Sequence, residues 1–287
     1  MTIRRIFITG GGGMLARTLE RRLPQAGFEV SAPTELQLNI LDLPALSAAI
    51  AAYKPTAVIH AAAITAVDPC ETTKRELAFQ VNGIGSGNVA IAAHRAGARV
   101  LAISTDYVFS GDLDRPYHEF DAPSPRTAYG ASKLAGEIAV RAHCPEHVIA
   151  RIAWLYGPGG PSFVHTMMKL GAQAGDPLQV VDDQIGNPTS TDVVADGVIK
   201  ILEKGVVGTV HLTCAGEATW YRFTQAIMQH AKLGRGVKPC TTAQYPRPAP
   251  RPANSRLDKL ALRTHGLGEP MGWEDALVRF LKENPQG

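Results

Sequence analysis

Residues 6–19 read Ile6-Phe7-Ile8-Thr9-Gly10-Gly11-Gly12-Gly13-Met14-Leu15-Ala16-Arg17-Thr18-Leu19. An apolar run passes through four glycines into leucines at helical spacing, and this stretch decides the fold. Ile3 to Thr9 reads as a buried strand. Met14 to Ala26 reads as a helix, with Leu15, Leu19 and Leu23 on one face and Gly27 as its stop. The turn between them spells Gly10-x-x-Gly13-x-x-Ala16. Glycines there allow a tight turn and let a pyrophosphate approach the amides of a helix N-terminus, where the helix dipole favours an anion. Gly10, Gly13, Met14 and Leu15 are the expected contacts.

The alternation continues outward from this unit. Strands are expected at Phe28 to Ala32, Thr56 to Ala62, Arg99 to Ser104 and Val148 to Ala153. Helices are expected at Leu43 to Tyr53, Arg75 to Ala96 and Ala128 to Ala142. Continuous β-branched runs separated by helices imply a parallel sheet covered on both faces. The pattern weakens after Gly157, although Thr191 to Leu202 still reads as a helix and Gly208 to Thr213 as a strand. The expectation is an α/β chain, a Rossmann-type doubly wound parallel sheet with a smaller C-terminal substrate lobe. Residues 1–157, with 189–214 returning to them, would hold an NAD(P) dinucleotide. Residues 158–188 and 215–287 would form the lobe over the C-terminal edge of the sheet, where open α/β sheets bind ligands.

Composition narrows the class. The 287 residues carry 29 Lys+Arg against 26 Asp+Glu, a formal charge of +3, so no nucleic-acid footprint is present. No apolar run reaches the roughly 18 residues of a membrane span, and the N-terminal apolar stretch is too short for a signal peptide. Cys70, Cys144, Cys214 and Cys240 are widely spaced, which reads as free thiols in a reducing compartment. The reading is a soluble cytoplasmic protein. His143 and His147 stand four apart, but Pro145 between them breaks the helix a metal pair would need, and no metal site is assigned.

The second strand ends Val30-Ser31-Ala32-Pro33-Thr34, without the acidic residue that would hold a ribose 2′-hydroxyl. No carboxylate there repels a 2′-phosphate. Arg17 is read either as a partner for that phosphate or as solvated surface, and the cofactor is NADPH or NADH with a lean to NADP. Tyr129-Gly-Ala-Ser-Lys133 places a phenol and an ammonium on one helical face. The doubly wound order brings them to the strand end at Ser104-Thr105-Asp106-Tyr107. This set suits carbonyl reduction, in which hydride addition leaves charge on oxygen that needs a proton and a donor. Tyr129 is assigned as the acid, Lys133 as the group that lowers its pKa and Thr105 as the polarising donor, with Ser104 as understudy.

These residues resemble the extended short-chain dehydrogenase/reductases, and within them the dTDP-4-dehydrorhamnose reductases. The likeness runs nearly end to end. It includes VIHAAAITAVD (Val58 to Asp68), Val81-Asn82, STDYVFSG (Ser104 to Gly111), YGASKLAGE (Tyr129 to Glu137), RIAWLYG (Arg151 to Gly157), DQIGNPT (Asp183 to Thr189) and RPANSRL (Arg251 to Leu257). The resemblance implies that Asn39 and Ile40 contact adenine, that Ala61, Ala62 and Ala63 line the floor beneath the cofactor, and that Asn82 belongs to the cofactor set beside the active-site helix. It implies substrate contacts from Val67, Asp68, Ser104, Asp106, Tyr107, Trp154 and Gln184, and a structural role for Arg251 and Asn254. The implied reaction is NAD(P)H-dependent reduction of the C4 keto group of dTDP-4-dehydro-6-deoxy-L-mannose to dTDP-L-rhamnose. A glutamate that helps some members hold an interfacial Mg²⁺ is replaced here by Arg17-Thr18. That argues against a metal-bridged dimer and leaves a magnesium effect by another route open. The expected partner is a nucleotide-sugar substrate, with the chain as monomer or homodimer. The alternatives are another nucleotide-sugar 4-ketoreductase or epimerase, or a noncatalytic regulatory subunit like that of methionine adenosyltransferase. The run YPRPAPRP at Tyr245 to Pro252 is read as a docked loop rather than a polyproline ligand.

Overall fold

Residues 4–284 are described by the computed structural model, so Ile3 of the opening strand and residues 285–287 of the expected lobe lie outside the described residues. β1 (Arg4–Thr9) ends in four consecutive buried residues and turns through the glycines into α1 (Met14–Gln25), which buries Leu15, Leu19 and Leu23. β2 (Phe28–Ser31) follows, then α2 (Leu43–Tyr53), capped by the Asp42 carboxylate on the Ala45 amide and ended by Lys54 in a left-handed conformation. β3 (Ala57–His60) is buried throughout. After a short α3 (Val67–Glu71), α4 (Arg75–Ala78) runs through a π-helical stretch, Phe79–Gly85, into α5 (Ser86–Arg95). The single helix expected over 75–96 is therefore interrupted. The wider turn carries Asn82 into the interior, and Gly85 is needed beside it because a Cβ there would stand 2.6 Å from Ile40 Cδ1. β4 (Arg99–Thr105), a 3₁₀ turn at Asp106–Val108, α6 (Ala128–His143) and β5 (His147–Ile152) complete this half.

The second half is more regular than its sequence suggests. It holds β6 (Leu155–Tyr156), α7 (Phe163–Gly171), β7 (Leu178–Val181), β8 (Ile185–Gly186), β9 (Thr189–Ser190), α8 (Thr191–Lys204), β10 (Gly208–His211), β11 (Ala218–Thr219), α9 (Trp220–His230), β12 (Val237–Cys240), β13 (Asn254–Ser255), α10 (Leu260–Thr264) and α11 (Trp273–Glu283). Sequence reading missed α7, α9 and α11 because two-residue strands and proline-rich turns separate them and hide the alternation that marks the first half.

The main sheet has the order β10-β5-β4-β3-β1-β2, and every pairing is parallel. One face packs on α1 and α8 through Leu19, Leu23, Val198 and Ile201; the other packs on α2, α5 and α6 through Leu46, Ile50, Val89 and Val140. Strand order reverses between β1 and β3, which opens a crevice at their C-terminal ends. A separate core of Tyr156, Val164, Phe223, Ile227, Trp273, Leu277 and Phe280 holds α7, α9 and α11 together.

Candidate active site

The glycine turn lies in the crevice. Gly10 has φ +79°, and a Cβ on it would stand 2.7 Å from the Ala62 backbone, so the chain after β3 touches the turn itself. Gly13 is the N-cap of α1, with no side-chain cap and no acidic residue in the first turn. The first amides of α1, Met14 and Leu15 among them, therefore lack an intramolecular side-chain acceptor, and a diphosphate fits that gap. Ala61 joins the turn by its amide to the Thr9 carbonyl (3.2 Å), with Ala62 and Ala63 following along the crevice. Asn39 is exposed and spends its Oδ1 on the Leu41 amide (2.9 Å). The Ile40 side chain is buried, and its carbonyl accepts from Asn88 (3.0 Å). Arg17 is exposed; its Nε donates to the Gly12 carbonyl (2.8 Å), and its side chain lies over the glycine turn beside Gly159.

Thr105, Tyr129 and Lys133 converge where β4 ends. α6 is set by the Thr127 hydroxyl, which accepts from the Gly130 amide (3.0 Å), and by the Glu71 carboxylate, which accepts from the Ala128 amide (2.8 Å). Gly130 is pressed against the 3₁₀ turn, since a Cβ would stand 2.1 Å from the Tyr107 carbonyl oxygen. Tyr129 is buried, with Tyr107 edge-on at 5.5 Å and the Thr105 hydroxyl within reach of its phenol. Burial pushes the phenol above its ordinary pKa, the Asp106 and Cys70 charges push the same way, and Thr105 opposes them. Lys133 donates from Nζ to the Ile103 carbonyl (2.7 Å); burial lowers it to about 8, against the pull of Glu137. The lowering of the tyrosine by Lys133 expected from sequence is thus not what this arrangement produces. The ammonium is spent on a backbone carbonyl, desolvation of the phenol dominates, and Tyr129 is held as a proton donor.

Asp106 is buried and raised to about 6 by that burial, against hydrogen bonding from Ser255 and Thr105. Thr105 donates to its Oδ1 (3.0 Å) and accepts from the Tyr107 amide (3.2 Å). Ser104 does not face the crevice as expected. Its hydroxyl donates to Glu137 (2.6 Å), which also receives Arg151 at 2.9 and 2.8 Å and Arg141 at 3.0 Å. Sequence reading missed this buried Glu137–Arg151 pair; its signal was a carboxylate four residues after Lys133 on the same helical face. Asn82 also departs from expectation. It is fully buried, accepts from the Ile64 amide (2.8 Å), and donates to the Ile64 carbonyl (3.0 Å) and the Ser132 hydroxyl (2.9 Å). With its amide spent inside, it ties the loop after β3 to α6 instead of contacting a cofactor.

On the far side of the crevice, Asp68 at the start of α3, beside Val67, meets Arg251 and Arg247, both at 2.9 Å, and accepts from the Ala249 amide (3.2 Å). Burial would raise its pKa, but these partners hold it below the ordinary carboxylate value. The proline-rich run is docked as a strap by this carboxylate. Trp154 follows β5 with φ +48° and stacks on Trp220 at 3.5 Å, with Phe163 against Trp220 at 4.4 Å. Trp220 and Phe163 were not singled out from sequence. Gly186 makes room for the indole, because a Cβ there would stand 2.5 Å from Trp154 Cε2. Gln184, expected at the substrate, is buried and donates to Thr242 (2.9 Å). The side chain closes a loop contact.

Among the described residues no group of three His, Cys, Asp or Glu is placed to hold a metal, and no helix is long and apolar enough to cross a membrane. Asp192 is satisfied by Arg21 (2.7 Å) and Arg22 (2.8 Å). His143 ends α6 and His147 begins β5, so the helix stops between them.

Comparison with known proteins gives a consistent picture. The family described as RmlD substrate binding domain matches residues 4–285. A dTDP-4-dehydrorhamnose reductase of Streptomyces griseus is 40% identical over 283 residues, covering 96% of this chain and 92% of that one. A probable dTDP-4,6-dihydroxy-2-methyloxan-3-one 4-ketoreductase of Streptomyces antibioticus is 42% identical, covering 95% and 93%. The crystal structure of dTDP-4-dehydrorhamnose reductase from Bacillus anthracis in complex with NADP superposes with a TM-score of 0.95 at 35% identity, covering 99% and 100%.

Proposed function

The chain belongs to the RmlD substrate binding domain family, and from that premise we propose that it is an NAD(P)H-dependent reductase that converts dTDP-4-dehydro-6-deoxy-L-mannose to dTDP-L-rhamnose at C4. The observation that carries this reading is the meeting of Thr105, Tyr129 and Lys133 at the strand ends beside the uncapped glycine turn.

Bound NADPH supplies the hydride. Gly10, Gly13, Met14 and Leu15 hold the diphosphate by backbone amides, with Ala61 to Ala63 as the floor and Asn39-Ile40 at the adenine end. Tyr129, kept protonated by burial, gives its proton to the C4 oxygen, and Thr105 turns its hydroxyl from Asp106 to donate to that oxygen as charge builds. The tyrosinate left behind is disfavoured by burial, so Tyr129 takes up a proton again before the next turnover. Asp106, Tyr107, Val67, Asp68 and Trp154 shape the sugar side. NADP is favoured over NAD because no carboxylate at the end of β2 repels a 2′-phosphate. Residues 1–157 with 189–214 form the dinucleotide-binding part, and 158–188 with 215–287 form the substrate part. Reductive biosynthesis and four buried free thiols suit the cytoplasm.

Tyr129→Phe tests the assignment. Loss of the acid lowers kcat by about 10²–10⁴-fold in an NADPH-oxidation assay with the 4-keto sugar nucleotide, while NADPH binding is kept. Turnover equal to the parent would refute it. The Streptomyces antibioticus relative favours a second reading, a 4-ketoreductase for a different dTDP-6-deoxy sugar. Ranking kcat/KM across dTDP-keto sugars separates the two, and turnover by the purified chain excludes a purely regulatory role.

A further inference from the structure

Away from the crevice, α7, the end of α9 and the end of α11 enclose a hollow of about 700 Å³, within the range of small-molecule sites. Its floor is apolar, with Met168, Leu233 and Leu281. Its titratable side chains are His165, Lys169, His230, Lys232 and Lys282, and among the described residues no acidic side chain lines it. In a chain with 29 Lys+Arg and 26 Asp+Glu, a wall of one sign needs a reason. The salt bridges of α9 and α11, Arg222–Glu274 and Arg279–Glu283, use other residues.

Helix ends account for part of it. Lys169, His230 and Lys282 sit in the last turns of α7, α9 and α11, where each faces about half a negative charge from the backbone dipole. Half a charge does not neutralise a lysine. Two further side chains line it: His165, in the first turn of α7, is bonded to the Ser162 hydroxyl (2.7 Å) and shifted toward its neutral form by burial, whereas Lys232, the left-handed residue that closes α9, makes no ion pair among the described residues. None of Thr105, Tyr129, Lys133 or Trp154 lines the hollow, so it is separate from the crevice.

We propose that this hollow is a second binding site, for a small phosphorylated ligand that carries an apolar or aromatic group. Lys169, Lys232 and Lys282 hold the phosphate oxygens, and Met168, Leu233 and Leu281 cover the apolar body. Phenyl phosphate is the probe, titrated into the full chain with NADPH saturating, so that the glycine turn is filled. The expected result is one binding event that shifts the Met168 methyl resonance and weakens as salt rises. It also weakens by about tenfold or more in the Lys169→Gln/Lys232→Gln variant, whose carbonyl-reductase activity stays at the parent level. Unchanged affinity in that variant, an unmoved Met168 methyl, or benzyl alcohol binding as tightly as phenyl phosphate would each overturn the proposal.

Discussion

Asp106 shows how one buried carboxylate adjusts both stability and the site. Because burial raises it to about 6, the native state keeps its proton at pH values where the unfolded chain has lost it. Its contribution is therefore largest below the ordinary carboxylate pKa and is lost as pH rises from about 4 to about 6. Asp106→Asn is expected to remove that loss, so the difference in melting temperature between variant and parent grows across this window; parallel profiles would contradict it. Glu137 poses the opposite case. Glu137→Gln leaves Arg151, whose side chain is 2% exposed, without its charge partner, and is expected to cost about 3–5 kcal/mol in urea unfolding. Combining it with Arg151→Met should recover much of the loss. At this scale the sequence told where Tyr129 and Lys133 stand, on α6 beside the end of β4, but not that Lys133 would spend its ammonium on the Ile103 carbonyl. It was least informative for Ser104, Asn82 and Gln184, whose polar groups fit a site or an interior equally well until their partners are known.

The elements around the site depend on close backbone approaches. α6 rides on the π-helical stretch through Gly136, where a Cβ would stand 2.1 Å from the Asn82 carbonyl oxygen. Gly136→Ala is expected to push the two apart and cost about 1–3 kcal/mol in thermal melts. It should also lower kcat through the displaced Tyr129, and a variant with parent stability would show that the seam yields freely. β1 through β5 and their helices were legible because buried strands and amphipathic helices carry different periods. The π turn was not, since its residues still fit a helical pattern and only the tertiary contact with Ile40 and α6 reveals it. α7, α9 and α11 were missed for a different reason: strands of two residues carry no period at all.

Across the whole molecule, two neutral histidines and one strap join distant segments. His60 lies between Thr9 (2.8 Å) and Ser86 (2.9 Å), and burial holds it at about 3; His211, beneath Phe109, is likewise held at about 3. Both must charge when the chain unfolds in acid, so their contribution is full above about pH 6.5 and is lost as pH falls toward 3. Urea midpoints measured over that range should fall with acid, and a His60 resonance titrating near its ordinary pKa would rule this out. The strap is held mainly from α3. Asp68→Asn is expected to speed hydrogen exchange at the Ala249 amide and to raise KM for the sugar nucleotide more than it lowers kcat; unchanged exchange would show the strap stands without its carboxylate.

The stacked pair on the substrate side has an optical consequence. The chain has three tryptophans, and two of them, Trp154 and Trp220, lie parallel at 3.5 Å with 6° between their planes. Indoles that close share their excited states, so they give a coupled near-ultraviolet dichroism signal and a quenched emission, against which Trp273 supplies a separate background. A ligand that slides the rings apart is reported by the protein's own light, without a label.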